Sequence, residues 1–379
     1  MMAGFGLGSF AWNVCQPFLP LRIQELGVSD LAQVAGWAGV LVGLSSLLNA
    51  LLAPAWTSVG GRFGYRRQVL RAHFGTGFGW LLYGLSGSPW QMLGAAVVLG
   101  GLSGNYPHYV ALAAAAAAPG DVGRVVGDLQ AASQLGNTLG PLFGGAIASR
   151  FGVLPTFFVT AALSIAAMAM VMATIPDDRP TDRVRRPGSG GMMAALRRGE
   201  QRRVMALVLI GDTGVIGLRP LIPIILSARL SDPSTVAAAT GVATTLATGG
   251  TIVAALVVGR LSKRHEPRRL LFATLPLATI CLVMVPFANG LPTLLALWTL
   301  AGLFAGATTP AAFAWLARAF PGETGGYALL ASTNMACYAL GPLVMGQVSG
   351  FSLDVPFYLA AAATAAGALI VLRRSDSRA

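Results

Sequence analysis

Apolar runs of about twenty residues alternate with short polar segments along the whole chain. A hydrocarbon core of about 30 Å is crossed by roughly 20 helical residues, so each run predicts a membrane-spanning helix. A β-barrel would need strands of about ten residues that alternate apolar and polar, which residues 113–118, all alanine, do not offer. The predicted fold class is therefore an all-α integral membrane protein. Twelve spans are predicted, at residues 3–21, 33–54, 69–87, 91–117, 125–149, 153–175, 204–227, 236–259, 269–288, 291–316, 326–348 and 354–372.

Composition excludes the main alternatives to a membrane protein. Only 11% of the residues are charged and 55% are hydrophobic, against roughly 25% charged in a soluble domain. The three cysteines lie within apolar runs, which excludes a disulfide framework. The net charge of +12 does not indicate nucleic acid as a partner, because bilayer-length apolar stretches interrupt the basic residues. We therefore expect the protein to be surrounded by a lipid bilayer.

The basic residues predict the direction of the spans. If successive loops alternate sides, one side holds 22 of the 26 Lys and Arg residues. The other side holds only Arg22, Arg150 and Arg229, and Arg219 lies inside a span. The positive-inside rule then places both termini in the cytoplasm and the protein in the cytoplasmic membrane. A cleavable signal peptide is not expected, because no positively charged segment precedes the first span.

The longest polar stretch, 176–203, carries eight arginines and divides the chain into lobes 1–175 and 204–379. We interpret it as a cytoplasmic linker whose charge sets orientation, with a site for anionic lipid as the alternative.

The two lobes are copies at an offset of 201 to 203 residues. Such a duplication supplies two lobes that rock about a site at their interface, as alternating access requires. The ordered matches are Pro17 and Pro20 with Pro220 and Pro223, Arg62, Arg66 and Arg67 with Arg264, Arg268 and Arg269, Pro119 to Asp121 with Pro321 to Glu323, and Leu139 to Leu142 with Leu340 to Leu343.

Small residues at helical spacing mark the fifth span. Gly136, Gly140, Pro141, Gly144 and Gly145 permit close helix contact, and the proline bends the span. The whole GxxxGPxxGG string resembles the antiporter motif of drug-exporting members of the major facilitator superfamily. The opening segment from Pro17 to Leu21, with Glu25 to Gly27 after it, is similar to the twelve-span drug:proton antiporter branch.

A second motif follows span two and resembles the superfamily's cytoplasmic signature, G-x-L-A-D-R-x-G-R-R. Its residues here are Gly61, Arg62, Gly64, Arg66 and Arg67, and its second copy keeps Gly259 and Arg264. Both copies lack the acid, since Gly61 and Lys263 occupy that position. In the family this carboxylate helps to latch the lobes, so we expect other contacts here, such as Asp128 with Arg62 or Arg66.

The resemblance covers essentially the whole chain and implies two pseudo-symmetric bundles of six helices. It also implies secondary transport by a monomer, without a cofactor, and a cavity lined by spans one, four, seven and ten. The family's arginine in span four is absent, because residues 97–104 contain no basic side chain.

Ionisable residues within spans are expensive and therefore candidates for function. Of the fourteen acids only Asp212 lies well inside a span, and Arg219 follows it by about two turns on one face. A carboxyl group removed from water favours its protonated form, so we expect Asp212 to couple transport to protons. The alternative is a pair that only neutralises itself.

Uncharged polar residues form stripes along three spans. A role in lining the cavity and an interhelical hydrogen bond are equally weighted interpretations of these residues. His108 is the second candidate for the proton site, although a lone histidine is more often packed. His73 is expected near the cytoplasmic surface and receives no role. The stripes are Asn13 with Gln16 in span one, Asn105 with His108 in span four, and Gln130, Gln134 and Asn137 in span five; span ten offers Thr308, Thr309 and Phe313.

The sequence predicts a transporter rather than an enzyme, since no metal-spaced cluster, phosphate loop or nucleophile with a base is found. The expected cavity contains one Asp and one Arg among Asn, Gln, Phe and Met side chains. Such a lining suits export of small apolar or amphipathic compounds in exchange for protons. Two alternatives stay open. One is proton-coupled or facilitative transport of a sugar or metabolite, and the other is a receptor or scaffold that kept the fold.

Overall fold

The computed structural model describes residues 1–117, 121–177, 196–321 and 324–372. Within these residues every regular element is a helix. The α-helices are α1 Met2–Cys15, α2 Leu19–Glu25, α3 Leu31–Phe63, α4 Tyr65–Leu85, α5 Pro89–Leu102, α6 Tyr106–Ala116, α7 Val122–Phe151, α8 Leu154–Thr174, α9 Gly199–Leu218, α10 Ile222–Arg229, α11 Pro233–Leu261, α12 Pro267–Met284, α13 Leu291–Ala305, α14 Thr308–Ala319, α15 Thr324–Val348 and α16 Val355–Leu372.

Each of the twelve predicted spans is helical, and four of them are interrupted. Spans one and seven are broken by 3₁₀ turns at Gln16–Phe18 and Arg219–Leu221, each of which contains a proline that removes a backbone donor. Spans four and ten are broken between α5 and α6 and between α13 and α14. The breaks recur at the offset of the sequence repeat, so the backbone is duplicated as well as the residues.

Among the described helices, eight are long and apolar enough to cross a membrane. The other four predicted spans, at residues 3–21, 69–87, 91–117 and 125–149, are helical but are not among these eight. The eight are Leu31–Phe63, Leu154–Thr174, Gly199–Arg229, Pro233–Leu261, Pro267–Met284, Leu291–Ala319, Gly325–Val348 and Val355–Leu372.

Large apolar side chains point outward along the spans. Leu51 and Leu135 are each 65% exposed, and Leu369 is 63% exposed. Water would make such a surface unstable, whereas lipid chains solvate it without cost. The outward side chains therefore agree with a protein surrounded by a bilayer.

The chain divides into two compact units, Met1–Val184 with Ile222–Thr245, and Arg185–Leu221 with Leu246–Ala379. Ile222–Thr245 thus groups with the first unit, whereas the predicted lobes placed it in the second. One reason lies in α11, where Thr245 donates a hydrogen bond to the Thr138 carbonyl of α7 at 3.0 Å. The predicted lobe boundaries stay a prediction. Most of the predicted linker, the Pro119-Gly120 and Gly322-Glu323 repeat positions and the basic residues from Arg373 onward lie outside the described residues.

Equivalent aspartates begin the second span of each half. Asp30 accepts a hydrogen bond from the Ala32 amide and caps α3, and Asp232 accepts from the Thr235 amide at the start of α11. Carboxylates at this position satisfy amides that have no partner within the helix. The caps are 202 residues apart, which is again the offset of the repeat.

Candidate functional site

Asp212 lies on α9, 8% exposed, with a polar neighbour on each of two other helices. Thr309 donates its hydroxyl to Asp212 Oδ2 at 2.6 Å. The Asn334 carboxamide lies 3.5 Å from the same oxygen and donates to the Thr309 hydroxyl at 3.2 Å. Among the described residues no group donates to Asp212 Oδ1. The carboxyl group is therefore held in position through one oxygen, and the other is available for a proton.

Close packing of α9 on α15 brings Asp212 and Asn334 together. A Cβ at Gly217 would lie 2.3 Å from the Gly341 carbonyl oxygen, and a Cβ at Gly341 would lie 2.6 Å from the Thr213 oxygen. Only glycine permits such a backbone approach. The small residues of spans seven and eleven thus set the distance at which the polar side chains meet.

Arg219 lies apart from this group. It is the first residue of the 3₁₀ turn after α9, is exposed, and its guanidinium carbon lies 5.8 Å from the centre of the Tyr338 ring. Within the described part of the chain no ion pair joins Arg219 to Asp212. The turn ends the α-helical spacing from which both side chains were expected on one face.

The polar stripes of spans one and five meet within the first unit. Asn13 donates to Asn137 Oδ1 at 2.9 Å, and Asn137 donates to Gln134 Oε1 at 3.1 Å. Asn13 and Asn137 also line a cavity of about 210 Å³, together with Asn105. Three of the predicted polar residues are therefore brought to one place, with Gln134 attached to them.

Gln16 and His108 are not in that cavity lining. Gln16 begins the first 3₁₀ turn and is half-buried. His108 is 2% exposed, its Nε2 lies 3.4 Å from Arg71, and its Nδ1 has no hydrogen-bond partner among the described residues. The Arg71 guanidinium also donates to the Leu102 carbonyl at 3.0 Å and lies 3.8 Å over the Trp56 ring. Span three thus supplies a cation beside span four.

The glycines of the antiporter-like motif have two different contacts. A Cβ at Gly136, Gly140 or Gly144 would lie 2.5, 2.7 or 2.0 Å from a backbone oxygen of α1. Pro141 lies among them inside α7. Gly145 instead approaches α11, where a Cβ would lie 3.0 Å from Gly241 Cα. The first three glycines therefore hold span five on span one.

The loop motif after span two is organised around its glycine. Gly64 adopts φ +96°, a conformation that other residues rarely accept, and ends α3 directly before α4. Arg66 forms an ion pair with Asp177 and donates to the Met172 carbonyl at 2.9 Å. The acid paired with Arg66 is thus Asp177, in the segment after span six, and not the expected Asp128. Gly61 is half-buried, and Arg62, Arg67, Gly259 and Arg264 are exposed.

Sequence reasoning missed two groups of residues. Asn334 was overlooked, although an offset of 201 pairs it with Ser133, whose hydroxyl lies 2.9 Å from the Ser9 hydroxyl. His73 was expected near the membrane surface, yet it is 1% exposed and bonds the Tyr109 hydroxyl at 2.8 Å. Because α4 already begins at Tyr65, His73 lies two helical turns inside it.

Comparison with known proteins gives consistent results. A model of the Major Facilitator Superfamily matches residues 1–230 and 204–379. The chain is 28% identical over 312 residues to multidrug resistance protein MdtG of Yersinia enterocolitica, which is 81% of this chain and 75% of that protein. It is 26% identical over 362 residues to the MFS-type transporter YuxJ of Bacillus subtilis, which is 94% of this chain and 92% of YuxJ.

A solved structure shows the same fold. The nucleoside transporter NupG superposes with a TM-score of 0.75, covering 98% of each chain, at 13% sequence identity. At this identity the likeness concerns the fold alone. It agrees with the predicted twelve-helix architecture, which is confirmed.

Proposed function

The chain belongs to the major facilitator superfamily and is a multi-pass membrane transporter, and we propose that it exports small apolar or amphipathic compounds in exchange for protons. Its substrate is a small molecule, and proteins of this family are transporters rather than enzymes. The multidrug resistance name of the MdtG relatives supports export of such compounds. The basic loops support a place in the cytoplasmic membrane with both termini inside. We propose that it acts as a monomer by alternating access.

The surroundings of Asp212 carry the proton part of the proposal. It is the only acid well inside a predicted span, it is buried, and only one of its oxygens accepts hydrogen bonds from described residues. Desolvation disfavours a charged carboxylate, whereas the Thr309 hydroxyl stabilises it. A group held between these opposing effects changes its proton occupancy when its surroundings change.

Arg219 is the second element of the mechanism. A guanidinium that approaches Asp212 in one state favours the ionised carboxylate and releases the proton. In the other state the arginine is withdrawn, and the carboxyl group takes up a proton while substrate leaves. The exposed position of Arg219, at the start of the 3₁₀ turn that interrupts span seven, supports such a movement.

His108 is the weaker candidate for the proton site. Arg71 places a positive charge 3.4 Å from His108 Nε2, and two like charges at that distance repel strongly in a low-dielectric interior. Asp212 has hydroxyl and amide neighbours instead. We therefore assign coupling to Asp212.

The test begins with accumulation of a panel of dyes and drugs in an efflux-deficient host, and continues with the exported compound in proteoliposomes. We expect Asp212→Asn to reduce transport driven by a pH gradient to the level of protein-free liposomes while exchange of a neutral substrate continues. Arg219→Ala should damage both activities. The matched control is Asp354→Asn, the same chemical change at an exposed acid.

Three results would contradict the proposal. Unchanged accumulation of the whole panel would oppose export, and counterflow without any dependence on the pH gradient would favour a facilitator. Active transport by Asp212→Asn equal to wild type, at matched protein levels, would place coupling elsewhere. A measured solute flux would exclude a receptor or scaffold.

A further inference from the structure

The cavity of the first unit has a lining that is polar but carries no formal charge. Its volume is about 210 Å³, and its wall combines parts of α1, α3, α4 and α7 with the break in span four. Pockets that enclose a whole drug-sized ligand measure roughly 300–1,000 Å³, so this cavity fits one group of a larger compound. Its carboxamide and hydroxyl side chains are Ser9, Asn13, Asn49, Thr76, Ser103, Asn105 and Asn137.

Hydrogen bonds within the wall hold most of these side chains in position. Asn13 donates to Asn137 at 2.9 Å, and Asn49 donates to the Ser103 hydroxyl at 3.0 Å. Side chains that are already ordered lose little entropy when a ligand binds. The wall is therefore preorganised.

Asn105 is not held in this way, and its carboxamide is the group that a ligand would meet. It occupies the N-cap of α6, where asparagine commonly bonds a backbone amide, yet it makes no capping hydrogen bond. Among the described residues its carboxamide has no hydrogen-bond partner, and it is half-buried against the cavity. Both a donor and an acceptor are thus available on one side chain.

Two glycines leave the space that side chains of the cavity wall occupy. A Cβ at Gly8 would lie 2.5 Å from His73 Cε1, so only glycine lets this imidazole reach the cavity. The His73 ring is fixed from behind by its hydrogen bond with Tyr109. Gly104 adopts φ +93°, and a Cβ there would lie 2.7 Å from Asn49 Nδ2. The shape of the cavity therefore depends on the absence of a side chain at Gly8 and at Gly104.

The charge of the wall selects the kind of ligand group. An ion would lose its water here without meeting an opposite charge, which costs far more than burying a hydrogen-bonded neutral group. Arg71, on the same helix as His73, is engaged with Leu102, His108 and Trp56 and is not part of the lining. Trp12 adds an aromatic surface for an apolar body.

We propose that this cavity binds an uncharged hydrogen-bonding group, such as a carboxamide, hydroxyl or carbonyl, of a compound whose remaining surface is apolar. Asn105 bonds the group, and His73 and Thr76 complete the polar wall. The inference rests on the proposed function for its meaning, since it names the chemical class of the transported compound. Binding itself requires no pH gradient.

The experiment uses the full-length protein in lipid nanodiscs and three probes of equal ring size: benzamide, benzoate and benzylamine. These are neutral, anionic and cationic at pH 7, and binding is followed by the quenching of fluorescence that Trp12→Phe abolishes. We expect saturable binding of benzamide at least tenfold tighter than that of either ion. Asn105→Ala and Thr76→Val should each weaken benzamide about fivefold to tenfold.

Gly8→Ala, which displaces His73, should abolish benzamide binding, whereas Gly94→Ala, where a Cβ meets nothing within 4 Å, should leave it unchanged. Benzamide binding is measured without a pH gradient, so a failure of proton coupling does not count against the cavity, and Asp354→Asn, a change at an exposed acid, should bind benzamide like wild type. Equal binding of the charged probes, no saturable signal with any probe, or benzamide binding unaffected by Asn105→Ala, Thr76→Val and Gly8→Ala would overturn the proposal. Thermal unfolding of each variant identifies loss through misfolding.

Discussion

Span one packs on span five as span seven packs on span eleven, but the polar side chains at the two contacts differ. A Cβ at Gly140 would lie 2.7 Å from the Phe10 oxygen, and one at Gly341 would lie 2.6 Å from the Thr213 oxygen. These residues correspond at the offsets of the repeat, 201 for the glycines and 203 for their partners. The duplication therefore reproduces the backbone contact almost unchanged.

The same offsets pair Ser9 and Ser133 with Asp212 and Asn334. In the first half two hydroxyls meet at 2.9 Å, whereas in the second a carboxylate faces a carboxamide at 3.5 Å. One helical turn later the first half has the Asn13 and Asn137 pair, while Ile216 and Tyr338 occupy the second. A duplicated scaffold thus presents neutral hydrogen-bonding groups in one half and an ionisable one in the other.

After Asp212→Asn, the largest effect on transport is expected from a change at Thr309, a neighbour of Asp212 that has no equivalent in the first half. Thr309→Val removes a hydrogen bond to a charged group, worth about 1.5–3 kcal/mol, so the carboxyl group releases its proton less readily. We expect transport driven by a pH gradient to fall about tenfold or more while neutral exchange continues. Thr308→Val, at the adjacent buried threonine, is the control. Equal loss in both variants would assign Thr309 to packing.

The second prediction tests whether the duplicated contacts are equivalent. Gly140→Ala and Gly341→Ala each place a methyl group against a backbone oxygen, and overpacking of this kind costs about 1–3 kcal/mol. Thermal unfolding in detergent should show similar losses. Gly127→Ala and Gly211→Ala, where a Cβ meets nothing within 4 Å, should unfold like wild type. A loss in only one of the two halves would show that the contacts have diverged in importance.

The ion pairs of Arg66 and Arg268, which correspond in the two halves, are expected to differ less in their contribution to stability. Arg66 pairs with Asp177, whose side chain is 71% exposed, and Arg268 pairs with Glu200, which is 28% exposed and also accepts a hydrogen bond from Trp315. Exposed pairs contribute about 0–1 kcal/mol, so we expect about 1 kcal/mol for Glu200→Gln and less than about 0.5 kcal/mol for Asp177→Asn. Chemical unfolding in detergent measures both, and the reverse order would contradict this ranking.

The smallest effect concerns the caps of spans two and eight. Asp30 accepts a hydrogen bond from the Ala32 amide, whereas Asp232 accepts from the hydroxyl and amide of both Ser234 and Thr235. These hydrogen bonds, first those from Ser234 and Thr235 hydroxyls, lower the pKa of Asp232 to about 2. Because the folded pKa lies below the ordinary value of 3.8, the cap stabilises above about pH 4 and is lost as the pH falls towards 2.

Amide hydrogen exchange checks this cap directly. Asp232→Ala should accelerate exchange at Thr235 more than Asp30→Ala accelerates it at Ala32, and the difference should shrink as the pH falls below 4. A difference that does not change with pH would mean that the carboxylate charge is not what holds the start of α11.

Much of the architecture was predictable because it depends on periodic properties of the chain. Span length follows from bilayer thickness, and the repeat pairs Pro17 and Pro20 with Pro220 and Pro223, beside which the structure has the turns that break spans one and seven. The family resemblance is confirmed along the chain. The direction of the spans and the roles of the site residues stay predictions.

The spans, the duplication and the presence of a single acid well inside a span are predictable without a structure, because they depend on local composition or on a fixed offset. The contacts between distant side chains become known from the folded arrangement: Thr309 and Asn334 with Asp212, Asp177 with Arg66, and His73 with Tyr109. These partners lie 36 to 122 residues apart. Helical spacing shows which residues of one helix share a face. Which other helix packs against that face depends on close contacts between glycines that are far apart in the sequence.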